Sequence, residues 1–171
     1  AGGAQRGDAR LALMEGNVAG TNHISLNNKG VFADPRVRLA MTYGLDRQAI
    51  IASVMQGRAT FPLSVIPSAF SWAYASHLPK QAYDPDKAKS LMGEAGWRPG
   101  ADGMLQKDGK TFRFTLLADK TNPARVQSAT VAQQMYKKLG MDVGLEVVEW
   151  SVYVQRMGQR AFDAQVGFWN F

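Results

Sequence analysis

The C-terminal half of the sequence constrains the fold most, because strand-like and helix-like periods take turns there without interruption. Phe112 to Leu117 alternates as a half-buried strand. Asn122-Pro123 then opens a helix reaching Leu139, with Val131, Ala132, Met135, Tyr136 and Leu139 facing inward and Gly140 ending it. Val143 to Val148 reads as a strand, Ser151 to Arg160 as a helix and Ala164 to Trp169 as a final strand. Strands joined through helices require long crossovers, which are right-handed and produce a largely parallel sheet covered on both faces. The expected class is therefore α/β.

The first half supplies caps and turns of definite chemistry. Residues 22–28 read as a strand leaving through Asn27-Asn28-Lys29-Gly30, a turn-rich exit. Asp34 is a good helix N-cap, followed by Pro35 at the first helical position, where a missing N–H costs nothing. Val37, Ala40, Met41 and Gly44 repeat at helical spacing. Asp46 caps a second helix, expected to turn Ile50, Ile51, Val54 and Met55 inward and to end at Gly57. Residues 58–82, with three prolines and the aromatics Phe61, Phe70, Trp72 and Tyr74, predict a long loop, of the kind that is usually functional or packed on something. Asp84-Pro85 starts a third helix with Ala88, Leu91, Met92 and Ala95 as its buried stripe and Gly96 as its stop. Residues 104–112 predict a hairpin turning at Asp108-Gly109.

With 171 residues the chain fits one domain, and 46% hydrophobic residues fit a globular one. No apolar run approaches the roughly 18 residues needed to cross a bilayer. The first residues, Ala1 to Asp8, lack the basic-then-apolar pattern of a signal peptide. The absence of cysteine rules out disulfides and thiolate metal sites. The net charge of +6 comes from lysines and arginines scattered along the chain, without a basic run interleaved with aromatics, so no nucleic-acid partner is expected.

Catalytic patterns are missing. His23 and His77 have no ligand-spaced companions, which argues against a metal site. There is no nucleophile elbow, phosphate loop or dinucleotide fingerprint, and no carboxylate pair is forced onto one face. The chain is expected to be no enzyme and to need no cofactor.

Aromatic placement points to binding. Ligands of open α/β sheets sit outside the carboxyl ends of the strands. Glu149-Trp150 stands at the end of one strand and Phe168-Trp169-Asn170-Phe171 at the end of the next, so Trp150 and Trp169 should project from one edge. Two large flat side chains there form the wall of a pocket; the alternative is that both are core residues covering helix ends.

One ordered set of motifs carries a resemblance. Asp34-Pro35-Arg36-Val37-Arg38-Leu39-Ala40, continuing through Asp46-Arg47-Gln48-Ala49-Ile50, resembles the signature of the peptide/opine/nickel class of ABC-transporter solute-binding proteins, family 5. The strand at residues 24–28, the Tyr83-Asp84-Pro85 helix start and the Phe162–Trp169 stretch follow in the same order, over about residues 20 to 171, while residues 1–19 match poorly. The resemblance implies one lobe of a type II periplasmic-binding-protein fold, largely the C-terminal one. The partner N-terminal lobe is then missing from the chain, since family members are considerably longer. It further implies an extracytoplasmic location, an importer's permease subunits as partners, and a solute, a short peptide before opines, nickel chelates or sugars, bound by closure of two lobes. A sensor or interaction module keeping the lobe without transport is the second reading. The resemblance implies solute contact by Trp150 and Trp169; Phe171 and Asn27 are read as further candidate contacts. The basic residues some members carry at the positions of Met157 and Val166 are absent. Asp34, Arg36, Arg38, Asp46 and Arg47 read as scaffold, with Arg38 and Asp46 fixing the corner between two helices. Phe70, Trp72 and Tyr74 fit three roles: capping the cleft, touching the permease, or covering a core absent from this chain.

Overall fold

The structure is a computed structural model that describes residues 20–170 except 62, 65 and 80. The expected alternation is observed. Strand β1 (Gly20–Leu26) leads through a 3-10 turn (Gly30–Phe32) into helices α1 (Pro35–Tyr43) and α2 (Arg47–Ser53). Residues 58–82 contain no helix or strand among those described, as expected of a loop. Helix α3 (Pro85–Glu94) precedes a small antiparallel sheet of β2 (Arg98–Pro99), β3 (Leu105–Lys107) and β4 (Lys110–Thr111). Then come β5 (Arg113–Asp119), α4 (Pro123–Lys138), β6 (Asp142–Val148), α5 (Trp150–Gln159) and β7 (Ala164–Asn170).

The cap residues set these boundaries. Asp34, Asp46, Asp84 and Asn122 each accept a backbone N–H of the first turn of α1, α2, α3 and α4, and Pro stands at the start of α1, α3 and α4. The hairpin turns where expected: Asp108 and Gly109 both have positive φ, as a two-residue primed turn demands.

The main sheet has the order β1-β7-β5-β6. β5 runs parallel to both β6 and β7, and β1 closes the sheet antiparallel to β7, with Gly20 opposite Asn170 and Leu26 opposite Ala164. From β5 the chain moves outward to β6, and from β6 it returns past β5 to β7. Two right-handed crossovers in opposite directions place α4 and α5 on opposite faces.

The principal core lies on the α4 face. Phe114, Leu116 and Ala118 of β5, with Val143, Ala164 and Val166, pack against Ala129, Ala132 and Tyr136 of α4 and against α1 and α3. Phe32, Phe112, Phe114, Trp97 and Tyr136 meet edge to face at centroid distances between 4.8 and 6.1 Å. Tyr136, whose hydroxyl donates to the Met41 carbonyl at 3.2 Å, is pushed far above its usual pKa by burial.

Two local expectations are corrected. Helix α2 buries no residue fully: Ile50, Ile51, Val54 and Met55 are half-buried, because a two-turn helix on the rim meets the core along one side only. The helix also ends at Ser53, before Gly57. Arg38 and Asp46 do different jobs. Arg38 donates to the carbonyls of Phe32 (2.7 Å) and Ala33 (2.9 Å), while Asp46 caps α2 through Ala49 N at 3.0 Å.

Candidate functional site

The carboxyl edge of the parallel strands is where the chemistry gathers. Here β5 hands the chain to α4 on one face and β6 hands it to α5 on the other, the edge at which ligands of open α/β sheets sit. Lys120 at the end of β5 forms an ion pair with Glu149 at the end of β6, and the Lys120 N–H donates to the Val148 carbonyl at 2.9 Å. Behind them Asp119, with no exposed surface, accepts from the backbone N–H of Thr121 at 3.1 Å, from its hydroxyl, and from the Arg125 guanidinium. Arg125 reaches back from the first turn of α4, its side chain 17% exposed and its Nε–H buried without a partner.

Trp150 and Trp169 both stand at this edge, on the α5 face, and neither belongs to the core. Trp150 is the first residue of α5 and 50% exposed, stacked on Tyr153 one turn later (5.6 Å, 19°). Trp169 is 57% exposed and stacks on His23 of the neighbouring strand (5.6 Å, 16°). Phe168 alternates to the opposite face of β7. Phe171 lies outside the described residues.

Asn27 is not brought to this edge. Because β1 runs antiparallel to β7, the residue after Leu26 lies at the amino end of the parallel strands. Its side-chain amide donates to the carbonyls of Phe162 (2.9 Å) and Arg160 (3.2 Å), fastening the turn between α5 and β7. A hollow of about 400 Å³ opens beside it, lined by Thr115, Glu146, Arg156 and Asp163 among others. Arg156 pairs there with Glu146 at 2.6 Å, and Asp163 accepts from Thr115 N at 2.9 Å. The two half-exposed tryptophans make the carboxyl edge, rather than this hollow, the candidate site.

The signature residues are scaffold in their observed contacts. Asp34 caps α1 and is held at a pKa of about 2, first by the hydrogen bond from the Arg36 side chain. Arg36 also donates to the Glu94 carbonyl at 2.7 Å, tying α1 to α3. Arg47 lies 4.4 Å over the Phe61 ring and donates to the Gln81 carbonyl, so it clasps both ends of the long loop. Within that loop Phe70 and Tyr74 are partly covered and Trp72 is 87% exposed.

Several residues at the site escaped sequence reasoning. Tyr153 is buried on α5, and burial, with Asp119 next, pushes its pKa up to about 12. Gln165 is buried in β7 and accepts from the Tyr153 hydroxyl. His23 packs against both Gln165 and Trp169. The alternation 165, 167, 169 along β7 was the available signal, since it puts a Gln and a Trp on one face. Among the described residues no group of three His, Asp or Glu can hold a metal, and no helix is long and apolar enough to cross a membrane.

The comparisons agree on a class. Residues 4–171 match the family described as bacterial extracellular solute-binding proteins, family 5 Middle. The chain belongs to that family. It is 40% identical over 155 residues to the oligopeptide-binding protein AppA of Bacillus subtilis, covering 86% of this chain and 28% of that protein. It is 29% identical over 166 residues to the heme-binding protein A of Haemophilus influenzae, covering 95% of this chain and 28% of that protein. The solved structure of the Bacillus subtilis AppA in complex with a nonapeptide superposes with a TM-score of 0.84 at 35% identity, over 90% of this chain and 32% of that one. The chain thus spans less than a third of the length of these relatives. The α/β fold expected from the sequence, that of the type II periplasmic binding proteins, is the one found.

Proposed function

We propose that this chain is one lobe of an extracytoplasmic solute-binding component of an ABC importer, and that its solute is a peptide. Residues 20–171 supply one wall of the cleft, a second lobe outside this sequence supplies the other, and the two close about a hinge. The carrying observation is the pair of half-exposed tryptophans at the carboxyl edge of the sheet, in a chain of this family. Flat apolar rings there accept varied side chains without a fixed polar partner, which suits a peptide better than one rigid small molecule. Trp150 and Trp169 are the contacts, with Phe171 following them in sequence. The partners are the peptide and the importer's permease subunits, and the wall binds without catalysing a reaction. Calorimetry of the complete polypeptide with a defined nonapeptide tests it: saturable heat is expected, reduced by Trp150→Ala and by Trp169→Ala. Titration with heme or a nickel chelate that gives heat where peptides give none would overturn the peptide assignment.

A further inference from the structure

The two tryptophans are joined from beneath by a continuous line of side chains. Trp150 stacks on Tyr153, and the Tyr153 hydroxyl donates to Gln165 Oε1, with the Val166 carbonyl 3.0 Å away as a second acceptor. Gln165 Nε2 stands 3.4 Å from His23 Nε2, and the His23 ring stacks on Trp169.

The buried end fixes the direction of this line. With Oε1 engaged by Tyr153, Gln165 turns its amide N–H toward His23, so His23 Nε2 must accept. The imidazole proton then sits on Nδ1, 3.4 Å from the Thr21 carbonyl that receives it. Gly167 makes the room. It stands opposite His23 across the β1–β7 ladder, and a β-carbon there would come within 2.8 Å of both Gln165 Oε1 and His23 Nε2.

We infer that His23 is a positioning residue for the solute wall: neutral and protonated on Nδ1, it fixes the plane of Trp169 and couples it through Gln165 and Tyr153 to Trp150, and a second proton releases that coupling. A proton on Nε2 would face the Gln165 amide's own N–H, setting two donors against each other while Oε1 remains engaged. From β7, His23 faces Gly167, Gln165 and Trp169, none of which titrates. From α5 the titratable group in line is Tyr153, and behind it lies the Asp119–Arg125 pair, whose charges offset each other. Burial lowers the His23 pKa below 6.5, so the neutral form holds at neutral pH.

The proposal rests on the binding reading above but is testable without a solute. The complete polypeptide labelled with 5-fluorotryptophan gives fluorine resonances assignable through single Trp→Phe variants. On titration from about pH 8 to about pH 5, the Trp150 and Trp169 resonances should move together with one midpoint, while that of the buried Trp97 stays and reports an intact core. In His23→Phe, which keeps a ring beneath Trp169 but cannot titrate, the shared transition should vanish. If that variant does not fold, Gln165→Leu serves: Trp169 should then titrate alone. No transition in the wild type, its survival in His23→Phe, or movement of Trp169 without Trp150 in the wild type would each overturn the inference. In parallel, the affinity for a nonapeptide should fall several-fold across the transition and become pH-independent in His23→Phe. A fluorine transition without peptide binding at any pH would instead sink the peptide reading and leave the coupling standing.

Discussion

At the scale of single residues, exposure separates recognition from packing. Trp150 and Trp169 each rest one ring face on a neighbour and leave the other toward solvent, so truncating them removes little buried surface. Trp150→Ala and Trp169→Ala should each weaken solute affinity by about 1–3 kcal/mol, as for aromatic anchors in an interface, with melting temperatures nearly unchanged. Phe114→Ala, which empties the centre of the aromatic core, should instead cost about 3–5 kcal/mol of stability in denaturant unfolding. A large melting-temperature loss with unchanged affinity in the tryptophan variants would assign them to packing. His23 carries a second expectation at this scale. Its folded pKa lies below its ordinary 6.5, so between those two values the unfolded chain binds more protons. The associated stability is fully present above about pH 6.5, declines as pH falls toward the lowered pKa, and changes no further below it. Melts across that window should show wild type losing stability relative to His23→Phe as pH falls, because the variant has no imidazole to protonate.

At the scale of elements, the buried ion pair at the end of β5 is the most sensitive joint, because it ties the central strand to the first turn of α4. Arg125→Leu would strand the Asp119 carboxylate without its cation in a site closed to water, at a cost of about 3–5 kcal/mol measured by chemical unfolding. A double variant, Asp119→Leu with Arg125→Leu, should recover much of that loss, since the stranded charge is then gone. Many of the elements were legible in the sequence for a physical reason: α1, α3 and α4 each begin with an Asp or Asn cap followed by Pro, chemistry that is local and does not depend on the neighbours. Burial was less legible wherever it depends on a distant partner. Ile50 and Ile51 look like core residues, yet α2 sits on a rim that leaves them half-covered. Asn27, named as a candidate solute contact, lies at the other end of the sheet from the tryptophans, because a strand's period does not reveal its direction and β1 runs opposite to its neighbour. Trp150 and Trp169 were legible because strand ends locate the binding edge of any α/β sheet. Gln165 and Asp119 were not, because a polar residue in a strand has the same sequence signature whether it faces water or a buried network.

At the scale of the whole molecule, the sheet presents its candidate binding edge, with both half-exposed tryptophans, on one side only. The tryptophans, Glu149 and Lys120 line a rim, and a rim buries one face of a bound solute, whereas pockets that retain small molecules enclose about 70–90% of their surface. The antiparallel pairing of β1 with β7 supports a hinge at this rim. Gly20 at the start of β1 lies opposite Asn170 at the end of β7, beside Trp169. In the proposed two-lobe reading, two adjacent crossings there would let a second lobe rotate over the tryptophans without disturbing the core on the α4 face. Separated from that lobe, the 171-residue chain should remain folded yet give no calorimetric heat above dilution with di- to nonapeptides, whereas the complete polypeptide binds. Circular dichroism establishes that the separated lobe is folded, and the comparison is valid only on that sample. Micromolar binding by the folded lobe alone would mean that this rim is a full site in itself, and closure by a second lobe would no longer be needed to explain capture.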